Sequence, residues 1–215
     1  MNLKQWCVLS VLACTLSIPG VASAADLSVN GHIRSDGACS LALGNGGIFD
    51  LGTNSHKDLK EAEETYLGPP SGLWISLGIH CQAPTKVALR MLDNRAGTST
   101  SSVAWAFGLG ASGDKNVGWY SVWVDRINGD GKPELHQVRK SPGSQAWEAP
   151  TVGWGWATRV SWLYSWAEQG QTLPQAFQDI SGELQLVTYI APAKDLDLSQ
   201  EIAIDGSATM ELVYL

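Results

Sequence analysis

The sequence predicts an all-β protein, and three observations support that prediction. Charged residues make up only 16% of the 215-residue chain, and 23 glycines are spread along it. Helical periodicity is scarce, whereas several segments alternate apolar and polar residues in the manner of half-buried strands. The longest of these segments is Glu201–Leu215. Its apolar face consists of Ile202, Ile204, Gly206, Ala208, Met210, Leu212 and Tyr214.

The first 24 residues have the features of a secretory signal peptide. Lys4 forms a short basic region, an apolar run extends from Trp6 to Ile18, and Ala22-Ser23-Ala24 is a small-residue cleavage site. The apolar run is too short for a transmembrane helix, and no later segment reaches the necessary length. A lipoprotein signal ending at Cys14 is the alternative, but it would leave the cleavage site unused. Because no internal repeat or low-complexity linker follows, residues 25–215 are predicted to form a single exported domain.

The mature chain keeps two cysteines, Cys39 and Cys81, because Cys7 and Cys14 lie in the predicted leader. An isolated pair in an oxidising compartment is most simply explained by one disulfide. No CxxC motif is present and the histidines show no ligand spacing, so neither a metal nor another cofactor is expected. The formal net charge of −7 becomes more negative when the leader is removed. This charge argues against nucleic acid or an anionic membrane as a partner.

Shorter strands are predicted along the rest of the chain. They are Leu27–Ile33, Ala38–Leu43, Ile48–Gly52, Leu73–Cys81, Val87–Met91, Val103–Phe107 and Val117–Val124. The strand ending at Cys81 and the one that follows it both have an apolar face, and a tight link joins them. This arrangement predicts a sandwich sheet. His56–Tyr66 is the one segment with helical potential, and its acidic residues favour a solvated connecting helix or loop.

Two glycine-rich segments match ligand-binding motifs only superficially. Gly108–Gly113 fits GxGxxG, but a strand is predicted to follow it, and the dinucleotide motif needs a helix there. In Asp125–Gly131, an EF-hand register would place Arg126 where a carboxylate ligand is required. The pairs Asn128-Gly129 and Asp130-Gly131 are instead typical of hairpin turns with positive φ. A surface calcium site of another type is the alternative for this segment.

The tryptophan-rich segment 154–165 allows two interpretations. As a regular strand it would place Trp154, Trp156 and Trp162 on one face, together with Val160 and Tyr164. The commoner use of such rings is to fill a sandwich core. The alternative is a platform that stacks a surface glycan, since the chain contains ten tryptophans. No GxSxG or comparable nucleophile motif occurs, and no pair of carboxylates can be singled out, so an enzyme is not predicted.

Several segments resemble subunits of chaperone–usher pili. They are Gly37–Leu41, Ile48–Gly52, His80–Val87 and the C-terminal strand, in which a tyrosine is second from the end. Cys39 in a short early strand and Cys81 at the end of a later core strand also match the single disulfide of such subunits. More narrowly, the chain resembles a poorly characterised bacterial family of fimbrial-like exported proteins.

The resemblance implies an immunoglobulin-like sandwich that lacks one strand. In pilus subunits a periplasmic chaperone fills the resulting groove first, and the N-terminal segment of the next subunit replaces it at the usher. The face from Ile202 to Tyr214 would line this groove, and the final location would be the fimbrium at the cell surface, with a role in adhesion. Only residues 25–38 separate the predicted cleavage site from Cys39, so we expect this subunit to accept a strand more readily than it donates one. A monomeric periplasmic or secreted carbohydrate-binding protein is the alternative of a different class.

Overall fold

A computed structural model describes residues 38–149 and 162–215 of the chain. Within these ranges there is no α-helix, and therefore no helix long and apolar enough to cross a membrane. Three 3₁₀ turns occur, at Gly44–Gly47, His56–Asp58 and Ala193–Asp195. The strands are β1 (Cys39–Leu43), β2 (Thr65–Leu67), β3 (Leu73–Thr85), β4 (Val87–Asp93), β5 (Phe107–Gly108), β6 (Ala111–Ser112), β7 (Lys115–Asn116), β8 (Gly118–Gly129), β9 (His136–Lys140), β10 (Leu163–Ala167), β11 (Phe177–Ile190) and β12 (Ala208–Tyr214).

The strands form two antiparallel sheets with a shared apolar core, which confirms the predicted all-β sandwich. The first sheet has the order β1-β3-β11-β8-β5, and β2 pairs with β11 beyond the end of β3. The second sheet has the order β12-β4-β10-β9, and β6 and β7 form a separate small hairpin. Because β3 leads directly into β4, the chain passes from one sheet to the other at Lys86.

The core between the sheets is built from alternate residues of the long strands. On β11, Leu184, Leu186, Thr188 and Ile190 are buried, whereas the odd-numbered residues between them face outward. On β10, Tyr164 and Trp166 are 2% and 0% exposed. The end of the tryptophan-rich segment therefore fills the core, as the commoner interpretation of its rings predicts.

The predicted disulfide between Cys39 and Cys81 is confirmed. The two residues stand opposite each other in β1 and β3, and Cys81 is fully buried. β1 is an edge strand that pairs with β3. The bond therefore fastens one edge of the first sheet to its interior.

The predicted strand Ile48–Gly52 is wrong, since this segment pairs with no strand among the described residues. After β1 the chain makes the 3₁₀ turn, in which Asn45 and Gly46 have φ values of 51° and 62°. These left-handed residues direct the chain out of the first sheet. Phe49 and Leu51 still pack against the core, so the apolar pattern is satisfied by packing without a ladder.

The helical potential of His56–Tyr66 is also not realised. Only the 3₁₀ turn at His56–Asp58 forms, with the Lys57 N–H donating to the Ser55 Oγ at 3.3 Å. Thr65 and Tyr66 instead join β2, where they pair with β11. The Thr65 side chain is buried and its Oγ1 accepts the Lys60 N–H at 2.8 Å. Tertiary pairing thus overrides a weak and strongly acidic helical pattern.

The last strand is shorter than the alternation predicts, because β12 covers only Ala208–Tyr214. Its partner β4 ends at Asp93, so the preceding residues have no ladder to join. They cross towards the first sheet, where the Asp205 N–H donates to the Leu109 carbonyl at 3.0 Å and the Asp205 carboxylate pairs with Arg95. Gly206 lies so close to the Tyr120 ring that an added Cβ would come within 2.8 Å of it.

Two other predicted strands change length, and the glycine loop between them is confirmed as a turn. Of Val103–Phe107 only Phe107 joins a strand, β5, whereas the strand predicted at Val117–Val124 extends through β8 to Gly129. Between them, Gly108–Gly113 leads into the β6-β7 hairpin, where Gly113 has a φ of 61°. A strand follows the motif rather than a helix.

The Asp130-Gly131 pair forms the two-residue turn that the sequence predicts. The Gly129 N–H donates to the Lys132 carbonyl at 3.0 Å, and the Lys132 N–H donates back at 2.8 Å. Asp130 and Gly131 have φ values of 49° and 76°, as this type of turn requires. Asn128-Gly129, by contrast, lies within β8 and makes no turn.

We expect the change Gly131→Val to lower the free energy of unfolding by about 1–2 kcal/mol, since a left-handed φ is costly for a β-branched residue. Space is not the cause, because a Cβ at this position would meet nothing within 4 Å. Urea unfolding of both proteins, purified in the same state of assembly, measures the loss. Gly131→Asn is the matched control and should cost less, because asparagine tolerates this conformation. Equal losses for both variants would contradict the conformational explanation.

Candidate functional site

An apolar cavity of about 310 Å³ opens between the edge strands of the two sheets. Its floor is formed by side chains from both sheets, among them Ile75, Met91, Val122, Leu184 and Leu186. One wall is formed by Leu43, Phe49 and Leu51, and the other by Ile204, Ala208 and Met210. The cavity is thus an opening into the sandwich core.

The two edge strands beside the cavity lie on the same side of the sandwich. β1 pairs with β3, β12 pairs with β4, and the link from β3 to β4 crosses between the sheets. At one end the edges are joined directly, because the Cys39 N–H donates to the Tyr214 Oη at 2.8 Å. Along the rest of their length the edges are separated by the cavity.

The outer edge of β12 has no strand beside it in the ranges that the structure describes. Its inner edge is paired with β4 from Ala208 opposite Asp93 to Tyr214 opposite Val87. An edge of this kind presents a row of backbone N–H and C=O groups to which another strand can be added. The combination of such an edge with an apolar opening is the most distinctive feature of the fold.

The structure brings most of the predicted groove residues to this opening. Ile204, Ala208 and Met210 line the cavity, and Leu212 packs against the same core. Tyr214 is 53% exposed, and its hydroxyl closes one end by the bond to Cys39.

Ile202, the remaining predicted groove residue, lines a second cavity of about 840 Å³. This cavity lies between segments 48–56 and 198–204. Ile48, Phe49, Leu51 and Ile204 line both cavities, so the two form one trough. The wall at 48–51 could not be identified from the sequence, because its alternation predicts a strand there.

Tyr120 also lines the cavity that lies between β1 and β12. Burial, reinforced by the negative charge of Asp93, raises the pKa of the Tyr120 phenol far above its usual value, so the group stays neutral at physiological pH. Its ring stacks on Phe107 with the centroids 5.0 Å apart. None of the lining residues named above is charged. The cavity therefore suits apolar side chains.

A row of Ser40, His80 and Asp179 crosses the first sheet and superficially resembles a catalytic triad. His80 Nδ1 lies 2.6 Å from Asp179 Oδ1, but the two side chains are 62% and 65% exposed. The Ser40 hydroxyl donates to the backbone carbonyl of His80 at 3.4 Å, not to its ring. This arrangement gives the serine no general base.

The Asp125–Gly131 segment consists of the end of β8 and the turn that follows it. The Asp130 carboxylate accepts the backbone N–H groups of Gln178 and Asp179, and Asp125 Oδ1 accepts the Arg126 N–H. Across the described residues, no group of three or more His, Cys, Asp or Glu side chains could hold a metal ion.

The predicted tryptophan platform is only partly within the described residues. Trp154 and Trp156 lie outside them. Trp162 is partly buried against the core, and the Arg139 guanidinium carbon lies 4.7 Å from the centre of its ring. The platform formed by these three tryptophans therefore stays a prediction.

Comparison with known proteins identifies distant relatives. A family model described as "Protein of unknown function (DUF1120)" matches residues 27–108, which include β1, β3 and β4 and both disulfide cysteines. The chain is 27% identical over 218 residues to "Uncharacterized protein YhcF" of Escherichia coli (strain K12), covering 83% of this chain and 85% of that protein. It is 26% identical over 217 residues to "Protein GltF" of the same organism, covering 83% and 84%.

Proposed function

We propose that this chain is a fimbrial-like structural subunit that accepts a β-strand from a partner along the outer edge of β12. The observation that carries this proposal is the apolar trough beside an edge strand that has no outer partner in the described residues. An added strand would pair with the backbone of β12 and direct every second side chain into the trough.

The spacing of the lining residues supports a strand rather than a compact ligand. On one wall, the cavity is lined at every second position, by Ile204, Gly206, Ala208 and Met210. An incoming strand has the same period, so its inward side chains would meet these positions in turn. The trough is also elongated, since it continues beyond Ile202.

A partner strand would stabilise the folded subunit by covering the apolar lining of the trough. The walls contain side chains that are only partly buried, including Phe49, Leu51, Ile204 and Met210. Fully burying an exposed side chain of this size contributes about 1.5–3 kcal/mol, and completing the burial of a partly buried one contributes a fraction of that. Several such fractions together are substantial beside the roughly 5–15 kcal/mol that stabilises a typical domain. The subunit would therefore depend on its partner to remain folded.

The partners and location follow from the same proposal. A periplasmic chaperone would supply the first strand, and another fimbrial subunit would replace it at the usher, for a structural or adhesive role at the cell surface. The Cys39–Cys81 disulfide supports export, because such bonds persist mainly in oxidising compartments. The prediction that the subunit accepts a strand more readily than it donates one rests on a segment outside the described residues, Leu27–Ile33, and stays a prediction.

Periplasmic expression of the full chain, with and without a co-expressed pilus chaperone, tests the proposal. We expect the chain alone to aggregate or be degraded, and the co-expressed chain to elute as a one-to-one complex in size-exclusion chromatography. In the complex, the β12 amides should be protected from hydrogen exchange on both edges. A stable monomer that does not bind the chaperone would refute the proposal and favour the alternative, a monomeric carbohydrate-binding protein.

A further inference from the structure

The outer face of the first sheet, which faces away from the core, carries aromatic side chains in register. Tyr189 of β11 stands opposite Tyr66 of β2 on one side and opposite Trp119 of β8 on the other. Residues directly opposite in adjacent strands point to the same face. Their neighbours on β11, Thr188 and Ile190, are buried on the core side, so the three rings share the outer face.

A second row lies four residues away on β11, towards the beginning of the strand. Gln185 stands opposite Trp74 of β3 and opposite Trp123 of β8. The two rows are about 13 Å apart at roughly 3.3 Å per residue. The five rings and Gln185 are named here the outer aromatic face. None of these residues belongs to the trough or to the 154–165 segment.

The first row is held together by ring contacts and a carboxylate. Trp119 and Tyr189 stack with their centroids 4.9 Å apart, and Tyr66 meets Tyr189 edge-on at 5.7 Å. Both oxygens of Glu64 lie 3.0 Å from the Trp119 indole nitrogen and accept its N–H. Tyr66 remains 38% exposed. The row therefore combines aromatic rings held in place by their mutual contacts with a carboxylate, that of Glu64, which can accept hydrogen bonds at its edge.

In the second row, Trp123 is held by a hydrogen bond within its own strand. Its indole N–H donates to the Ser121 hydroxyl, two residues earlier on the same strand, at 2.9 Å. Ser121 also points outward but is only 1% exposed. The hydrogen bond to Ser121 thus holds the Trp123 side chain over its own strand, where it remains partly exposed.

Arg126 is placed over Trp74 by an unusual backbone conformation. Its φ is 52°, in the left-handed region that non-glycine residues rarely adopt, at a point where the pairing of β8 with β11 shifts register. Such bulges re-aim side chains. The guanidinium carbon lies 5.4 Å from the centre of the Trp74 ring, and a bond to Glu183 at 2.6 Å holds it there. Backbone strain of this kind is often associated with binding sites.

We propose that the outer aromatic face binds a neutral oligosaccharide. The faces of aromatic rings are electronegative, so they attract the weakly positive C–H groups of a sugar ring. Glu64, Glu183 and Gln185 supply acceptors and donors for sugar hydroxyl groups between the rings. Such a mixture of aromatic surface and a few fixed polar groups is typical of small-molecule sites. The span between the rows leaves room for more than one sugar ring.

The charges on this face select a neutral ligand over an anionic one. Glu64, Glu183 and Asp125 lie on or beside it, whereas Arg126 is already paired with Glu183. A sialylated or sulfated glycan would meet net repulsion there. The indole N–H groups of Trp74, Trp119 and Trp123 are all satisfied within the protein. The rings therefore offer their surfaces rather than their donors.

This inference does not depend on strand acceptance, because the outer aromatic face and the trough lie on different faces of the first sheet. Sugar binding is expected whether the protein purifies as a strand-complemented complex or, against the first proposal, as a stable monomer. A failure of one proposal can thus be distinguished from a failure of the other.

Calorimetry and tryptophan fluorescence test the site on the mature protein in the soluble state in which it purifies, as the chaperone complex or as a monomer. The probes are cellohexaose, maltohexaose, mannohexaose and chitohexaose, with 3′-sialyllactose and a heparin hexasaccharide as anionic comparisons. We expect at least one neutral probe to bind with a Kd of millimolar or below, and both anionic probes to bind more weakly. Trp123→Ala should weaken binding about tenfold, the loss that corresponds to one aromatic contact.

Two further variants keep the test decisive if Trp123→Ala fails to fold. Tyr66→Ala removes an exposed ring, and Glu64→Gln keeps the shape of the side chain; each should weaken binding. Trp147→Ala is the matched control, because Trp147 is a partly buried tryptophan after β9, outside this face, and lies near Lys140. Absence of binding by every neutral probe, preference for an anionic probe, or equal losses in the face and control variants would overturn the proposal.

Discussion

Replacement of Cys39 and Cys81 together by alanine is expected to lower the free energy of unfolding by about 4 kcal/mol. The bond closes a loop between residues 42 positions apart, and its loss restores that freedom to the unfolded chain. The folded state also suffers, because β1 is an edge strand whose described ladder is with β3 alone. Urea unfolding of variant and wild type, purified in the same state of assembly, measures the difference.

Ser40→Ala is the control for the disulfide variant, since Ser40 is an exposed neighbour in the same strand. It should change the unfolding midpoint little. Wild type reduced with dithiothreitol should lose about as much stability as the double variant. A loss below about 1 kcal/mol in both would show that the disulfide constrains the unfolded chain much less than its loop length implies.

Met210→Asp is expected to abolish strand capture, and with it the yield of the chaperone complex. Met210 lines the cavity and faces the incoming strand, so a carboxylate there would be buried without a partner. The free-energy cost of burying this carboxylate would destabilise mainly the complex, because the cavity is open to solvent until a strand fills it. Co-purification of the chain with the chaperone from periplasmic extracts measures the effect.

Thr209→Asp provides the matched control, because Thr209 is the adjacent residue of β12 and its side chain is exposed. It introduces the same charge and should leave capture intact. Leu212→Asp should behave like Met210→Asp, since Leu212 packs against the same core, and Met210→Leu should capture normally. Normal capture by Met210→Asp would exclude the trough as the acceptor.

The sequence alone was enough to predict features that depend on local chemistry. The period-2 alternation of β3 and β4 predicts two core-facing strands, and Asp130-Gly131 predicts its turn because few other pairs accept positive φ at both positions. The disulfide was predictable because only one pairing of the mature cysteines exists. In each case the signal is carried by neighbouring residues or by simple counting.

Strand ends and the trough depended on partners distant in the chain. The alternation from Ile202 to Tyr214 is continuous, but β12 begins only at Ala208 because β4 ends opposite it at Asp93. Ile48–Gly52 has the composition of a strand and becomes a wall of the trough because no described strand lies beside it. An alternating pattern specifies which side chains are buried, whereas a ladder also requires a neighbouring backbone.

The outer aromatic face shows most clearly that an alternating pattern does not specify which residues of other strands lie beside it. Tyr66, Trp74, Trp123 and Tyr189 come from four strands, and the registers of β2, β3 and β8 on β11 bring them onto one surface. For Trp74 and Trp123, which fall in predicted strands, the alternation indicates that each faces outward, but it cannot show which rings are opposite one another. Within the strands that it predicts, the sequence thus determined which side each residue occupies, because that depends on period alone. Only the tertiary structure decided which residues meet, because cross-strand register is fixed by the packing of the whole core.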